Sequence, residues 1–260
     1  MIEILTPTEL DRARDSGALV AEILQALRSR AAIGTNLLDI NEWARTMIVK
    51  AGATSCYVDY EPAFGRGPFG HYICTAVNDA VLHGKPHDYA LADGDLLTLD
   101  LAVTLRGIAA DAAISFIVGG TRPAESIVLI ETTERALAAG IAAAGPGART
   151  GDLSHAIGSV LLEAGYAVNT EYGGHGIGST MHQDPHIPNT GRPGRGYLLR
   201  PGLLLALEPW AMVDTDRLIV DADGWTLRSS TGCRTAHSEH TIAITDDGAE
   251  VLTGSPSALV

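Results

Sequence analysis

Cysteine is scarce in this 260-residue chain: Cys56, Cys74 and Cys233 are all it has. Three cysteines at these spacings make neither a disulfide framework nor a CxxC zinc module. Each reads as a small buried apolar residue in a reducing compartment. Positive charge is also in short supply. Against 31 Asp and Glu stand 18 Lys and Arg, a formal net charge of −13. That balance argues against nucleic acid as a partner, because a phosphate backbone is held through cations. No apolar run reaches membrane-spanning length, and the N-terminus lacks a basic stretch followed by an apolar one. The expectation is a cytoplasmic protein with no membrane contact. What is present is globular material, 46 % hydrophobic and 19 % charged residues, enough for a full core.

The most informative stretch is Leu96 to Val118, two apolar runs meeting at a turn around Arg106-Gly107. Each run carries one carboxylate at its heart, Asp100 and Asp111. A hairpin centred between Leu105 and Arg106 would set the two directly opposite each other, on one face. Like charges across a strand pair repel, more so in a low dielectric. Either one carboxyl keeps its proton, or a multivalent cation sits between them. The flanks Leu97, Leu99, Leu101, Val103, Ile114, Phe116 and Ile117 are core material, which favours a metal site over a pair of solvated turn carboxylates.

Upstream, Thr6-Pro7-Thr8-Glu9 has the form of a capping box with proline at the first helical position. The helix it opens should end near Gly34, and a second should run from Asp39 to Ala51-Gly52. The stretch 34–52 then recurs at 147–165 without a gap, aligning Gly34 with Gly147, Asp39 with Asp152 and the terminal Ala-Gly pairs. A helix precedes each copy, near 8–33 and 123–144. Two capped amphipathic helices can look alike by chance, but two helix–helix–strand units suggest a duplicated architecture with a site where the halves meet.

The segment 59–72, rich in glycine, proline and aromatics, reads as an ordered loop whose Tyr60, Phe64 and Phe69 need something to cover. Cys74 to Val81 reads as a strand followed by His83-Gly84. The segment 173–185, GGHGIGSTMHQDP, packs glycines around His175 and continues through Met181 to His182, so its backbone should approach something closely. A lone histidine in such a loop is usually a surface residue or a satisfied hydrogen-bonder, but several near one candidate metal site change that balance. The loop 186–197 reads as a solvated connection. LLLALEPW, 203–210, is a buried strand ending in Glu208 and closed by a proline, and SEHTIAIT, 238–245, is an alternating strand with Glu239 near its start. A carboxylate in such a context is costly unless it is paired or bound to metal. Asp100, Asp111, Glu208 and Glu239 with His175 make four oxygen donors and one imidazole. This set suits two divalent ions of the Mn, Fe, Co or Zn type better than one structural zinc.

In their order, and in the contexts VNDAVLHG, GGHGIG, ALEPW and SEHT, these residues closely resemble the type I methionine aminopeptidases, M24-type metallopeptidases. The likeness runs from the first helix to about Leu252. It implies an α+β pita-bread fold, with two pseudo-symmetric halves around a central antiparallel sheet. The chain would then be one catalytic domain, 1–260, with halves at about 1–120 and 121–252 and a frayed tail at 253–260. The resemblance further implies that Asp100 chelates one metal, that Asp111 and Glu239 bridge two, and that His175 and Glu208 hold the other. Glu208 would also shuttle the proton of the water that attacks the first peptide bond. His83 and His182 would contact substrate, and Cys74, Met181 and Trp225 match the family's methionine pocket. The alternative for all three is ordinary core packing. The implied substrates are nascent N-termini whose second residue is small, met by a monomer with transient ribosome contact.

The chain departs from the family pattern in a longer 59–72 loop and in Ser238, where an aromatic is common. Two other readings stand beside this one. Xaa-Pro aminopeptidases and prolidases share the fold but usually carry a further histidine four residues before the metal histidine, where this chain has Glu171. Non-enzymatic relatives have lost metal ligands, whereas all five stand here.

Overall fold

The first helix begins at the cap its sequence predicts. The structure, a computed structural model, describes residues 2–62 and 66–254. Thr6 accepts from the Glu9 N–H, and the Glu9 carboxylate accepts from the Thr6 N–H at 2.8 Å. The elements in chain order are α1 (Pro7–Arg30), α2 (Leu37–Lys50), β1 (Thr54–Ser55), β2 (Cys74–Val77), β3 (Ala80–Leu82), β4 (Leu96–Leu105), β5 (Ile108–Ile117), α3 (Ala124–Ala143) and α4 (Thr150–Glu163). Then follow β6 (Gly173–Gly176), β7 (Gln183–Pro188), β8 (Leu204–Leu207), β9 (Trp210–Met212), β10 (Leu218–Val220), β11 (Leu227–Ser229), β12 (Thr235–His237), β13 (Glu239–Thr245) and β14 (Gly248–Val251). One antiparallel sheet orders β1-β4-β5-β13-β8-β6-β7, with β2 added on β4 and β14 on β13. Among the described residues no helix is long and apolar enough to cross a membrane.

The internal repeat is structural. Gly34 and Gly147 both adopt φ near +86°, a left-handed turn that glycine enters without steric penalty. Each is followed three residues later by a 14-residue helix, α2 or α4, and each helix is closed by a second left-handed glycine, Gly52 or Gly165. Isolated bridges at Asn36–Ala90 and Arg149–Leu198 tie the two copies down equivalently. Helix α2 starts two residues before Asp39, because Asn36 is the better cap: its side-chain oxygen accepts the Leu38 N–H at 2.9 Å.

Sheet periodicity separates core from site. On β4, Leu97, Leu99, Leu101 and Val103 join Ile23, Leu27, Ile40 and Ile48 of α1 and α2 in a fully apolar cluster. Successive residues of a strand face opposite ways, so Asp100 and Ala102 look out on the other side. There Ala102 packs with Tyr57, Phe69, Cys74, Met181 and Trp225.

Three local expectations change. The β4–β5 turn is Arg106-Gly107 flanked by the Leu105–Ile108 pair, with φ of +51° and +82°. Two central residues with positive φ match the strand twist, and glycine is the natural second one. The hairpin is therefore centred one residue later than between Leu105 and Arg106. Asp100 faces Ala113, and Asp111 faces Ala102. The two aspartates share a face as diagonal neighbours, not as a directly opposed pair. The predicted strand Cys74–Val81 is two strands broken at Asn78-Asp79, where Asn78 takes φ of +56° and accepts from the Leu96 N–H. The expected loop 186–197 begins inside β7. At the other end Thr253 is buried, its hydroxyl 2.9 Å from His240 Nδ1, while 255–260 lie outside the described residues.

Candidate metal centre

Strand register builds the centre. Asp100 and Glu239 both pair with Ala113, one from each side, so they lie in one row across β4, β5 and β13. Thr241 and His175 both pair with Ala206. Thr241 is joined to Asp111 through its hydroxyl, which accepts the Asp111 N–H at 2.9 Å and donates to its carbonyl at 2.8 Å. The second row therefore ends in Asp111 at one side and His175 at the other. Glycine beside His175 is required by space. A Cβ on Gly174 would strike the Ala206 carbonyl, and one on Gly176 the Asp184 carbonyl.

The five residues singled out in the sequence come together. Nε2 of His175 lies 3.7 Å from Oε1 of Glu208. Donor atoms of Asp111, His175 and Glu239 lie within 4.8 Å of one another. Two residues that the sequence did not single out join them. Tyr57 O–H reaches Oδ1 of Asp100 at 2.5 Å and Oδ1 of Asp111 at 3.1 Å. His237 forms a second set with Asp100 and Glu239, again within 4.8 Å. Tyr57 sits in a loop with no periodic signal. His237 had one available: it stands two residues before Glu239, the spacing that shares a face in extended chain.

Burial raises every carboxyl of the group. Asp100 moves up to about 6. Glu208 moves up to about 8 through burial and then the charge of Asp100. Asp111 and Glu239 are pushed well above the usual range, by burial and then by their carboxylate neighbours. Burial acts oppositely on the imidazoles, holding His175 and His237 down to about 3. Neutral imidazoles with free lone pairs among carboxyls that repel when ionised form a donor set that fits divalent cations.

That crowding predicts a pH signature. Unfolded, the carboxyls are ionised by about pH 5; folded and metal-stripped, Glu208 keeps its proton up to about 8. The folded state then binds more protons than the unfolded one, so stability falls as pH rises through this range. Below about pH 6.5 the buried histidines act the other way, since unfolded histidine gains protons that the folded state refuses. Between pH 7 and 9 the carboxyls act, at about 1.4 kcal/mol per pH unit for each proton still held. Burial also holds the protons on Cys56 and Cys74, with the same sign, so the difference between stripped and metal-loaded protein is what isolates the carboxyls. The melting temperature of chelator-stripped protein should drop over that window by several degrees more than that of zinc-loaded protein. Parallel pH profiles for the two forms would refute the electrostatic reading.

A cavity of about 520 Å³ opens onto the centre. His83, His182, Cys74, Met181 and Trp225 all line it, as do Tyr60 and Phe69 from the 59–72 loop, while Phe64 lies outside the described residues. The Tyr60 hydroxyl is 2.9 Å from His182 Nδ1, and the His182 ring stacks edge-on against His175 with centroids 4.4 Å apart. His83 takes φ of +55°, an uncommon conformation for a side chain of its size. Gly84 follows because a Cβ there would strike the Thr75 carbonyl. Such an outlier facing a cavity points to function. Glu171 lines the cavity at the position where the prolidase reading expects histidine.

Known proteins match this chain over its length. Methionine aminopeptidase 1 of Mycobacterium tuberculosis is 43 % identical over 252 residues, covering 94 % of this chain and 92 % of that protein. Methionine aminopeptidase 1 of Bacillus subtilis is 36 % identical over 253 residues, covering 97 % and 99 %. The crystal structure of methionine aminopeptidase from Thermotoga maritima superposes with a TM-score of 0.92 at 36 % identity, covering 98 % of this chain and all of that one. Prolidase from Pyrococcus furiosus shares the fold alone, with a TM-score of 0.75 at 19 % identity, covering 97 % of this chain and 65 % of its own. The model of metallopeptidase family M24 matches residues 11–246. The chain belongs to metallopeptidase family M24.

Proposed function

We propose that this chain is a methionine aminopeptidase that removes N-terminal methionine from nascent polypeptides with a small second residue. The observation that carries this reading is an apolar pocket joined to the carboxylate–imidazole centre: Phe69, Cys74, Met181 and Trp225 pack as one buried cluster beside Asp100 and Asp111. In this reading two divalent ions (Co, Mn, Fe or Zn) would be held here, one by Asp100, the other by His175 with Glu208, and Asp111 and Glu239 would serve both. Bound there, such ions lower the pKa of water toward neutrality and polarise a carbonyl oxygen.

The protein's own groups do the rest. Glu208 is the carboxyl that accepts the proton of the attacking water and returns it to the leaving amine. With the Tyr60 hydroxyl donating to Nδ1 of His182, the ring proton sits on Nε2, available to the oxyanion. His83, held in its left-handed conformation, orients the substrate amide. The free ammonium of the substrate finds the acidic wall that includes Glu171. The same reading carries a cytoplasmic monomer with transient ribosome contact.

Side-chain choice is the test. Soft sulfur and aromatic surface suit an unbranched thioether. Norleucine, of similar shape, should be accepted almost as well, whereas leucine branches too early. Met-Ala-Ser should exceed Leu-Ala-Ser in kcat/KM by about tenfold or more, and Trp225→Ala should narrow the gap. Equal cleavage of the two peptides, or a preference for proline in the second position, would overturn the methionine assignment and leave a metallopeptidase of other specificity.

A further inference from the structure

His237 presents a second imidazole to the carboxylate cluster. The residue is 2 % exposed, and its Nε2 is buried without a hydrogen-bond partner. The backbone is pinned on both sides by one hydroxyl: the His237 N–H donates to Ser115 Oγ at 3.0 Å, and that hydroxyl donates to the His237 carbonyl at 2.7 Å. The ring is thus carried on a fixed base at the join of β12 and β13, aimed at Glu239 and Glu208.

The distances say what kind of contact this is. Nε2 lies 3.8 Å from Oε2 of Glu239 and 4.0 Å from Oε2 of Glu208. Both are too long for hydrogen bonds. At tetrahedral angles two metal–donor bonds of about 2.1 Å hold their donors roughly 3.4 Å apart, so the 3.8 Å separation from Glu239 is within a few tenths of an ångström of that of two donors on one ion. The His175–Glu208 separation on the far side, 3.7 Å, has the same character. The two donor sets are also alike in composition. Each has one aspartate of the β4–β5 hairpin and one histidine, and Glu239 belongs to both.

We propose that Nε2 of His237 is a ligand of the ion held by Asp100, so that each ion of the centre carries one imidazole. This rests on the dinuclear reading above and adds to it. One ion then sits among Asp100, His237 and Glu239, the other among Asp111, His175 and Glu239. A second nitrogen donor shifts preference from oxygen-loving ions such as manganese toward zinc and cobalt.

The test uses the full chain labelled with ¹⁵N at the histidine rings, stripped by chelator and titrated with Zn(II). Two ring nitrogens should move to metal-bound shifts at two equivalents. One of these signals should vanish in His175→Gln and the other in His237→Gln, which assigns each nitrogen. In calorimetric titration, His237→Gln should weaken binding of one zinc about tenfold or more and leave the other, whereas His237→Asn serves if the glutamine does not fit. A wild-type spectrum in which only the His175 nitrogen is metal-bound would overturn the His237 assignment and leave the metal centre standing. Neither nitrogen responding to zinc would overturn both.

Discussion

Replacing Glu239 with alanine should abolish metal uptake and peptidase activity together. Glu239 belongs to both donor sets, Asp100–His237–Glu239 and Asp111–His175–Glu239. It is buried, and it lies in one row with Asp100 through their shared partner Ala113. Taking it away removes a donor from each ion at once, and activity should fall by about three orders of magnitude or more. The fold should survive the change. A buried carboxyl that is pushed well above its usual pKa by burial and by Asp111, Glu208 and Asp100 is a source of repulsion in the stripped protein, so removing it relieves strain above pH 7. Asp111→Ala should behave similarly, with a loss of the Tyr57 bond added. Elemental analysis of dialysed protein, read beside Met-Ala-Ser hydrolysis and the melting temperature, decides the matter. Full metal content with full activity in Glu239→Ala would end the dinuclear reading.

The parts of this centre that were legible in the sequence are those where a polar residue interrupts an apolar pattern. Asp100 between Leu99 and Leu101, Glu208 after a run of leucines and before Pro209, and Glu239 at the head of an alternating strand stand out because burying a bare carboxylate is unfavourable. The pseudo-symmetric halves were legible because glycines that take left-handed turns recur at fixed spacing around two 14-residue helices. Hairpin register was not, since a one-residue shift of the turn leaves both strands equally apolar; the positive φ at Arg106 and Gly107 decides it. Strand breaks at a polar pair were hidden likewise, because Asn78-Asp79 lies in an otherwise strand-like run and its turn depends on the Asp95 and Leu96 contacts. Tyr57 reaches the aspartates only through tertiary placement of the loop after β1. His237 was legible only through its spacing, two residues before Glu239 across Ser238; its residue type alone does not separate it from a satisfied core histidine.

The His182→Ala variant should keep its metal and lose its rate. His182 lies beside the centre, its ring edge-on to His175, yet it belongs to neither candidate donor set among the described residues. Burial holds its imidazole down to about 4, so at neutral pH it is an uncharged donor, not a cation. A neutral N–H aimed at a developing oxyanion does its work only as charge builds on the oxygen, so its removal should act on kcat more than on KM. A loss of about two orders of magnitude in kcat is expected, with metal stoichiometry unchanged. The Tyr60 contact gives an internal check. Removing the hydroxyl with Tyr60→Phe frees Nδ1 to take the proton, so part of the ring population would present a lone pair to the oxyanion in place of an N–H. That change should cost several-fold in kcat, less than His182→Ala, and should add little on top of it, because both act through the same proton. Additive losses in the double variant would place Tyr60 in substrate binding on its own account. Loss of metal from His182→Ala would make His182 a ligand, and the oxyanion contact would then have to come from elsewhere.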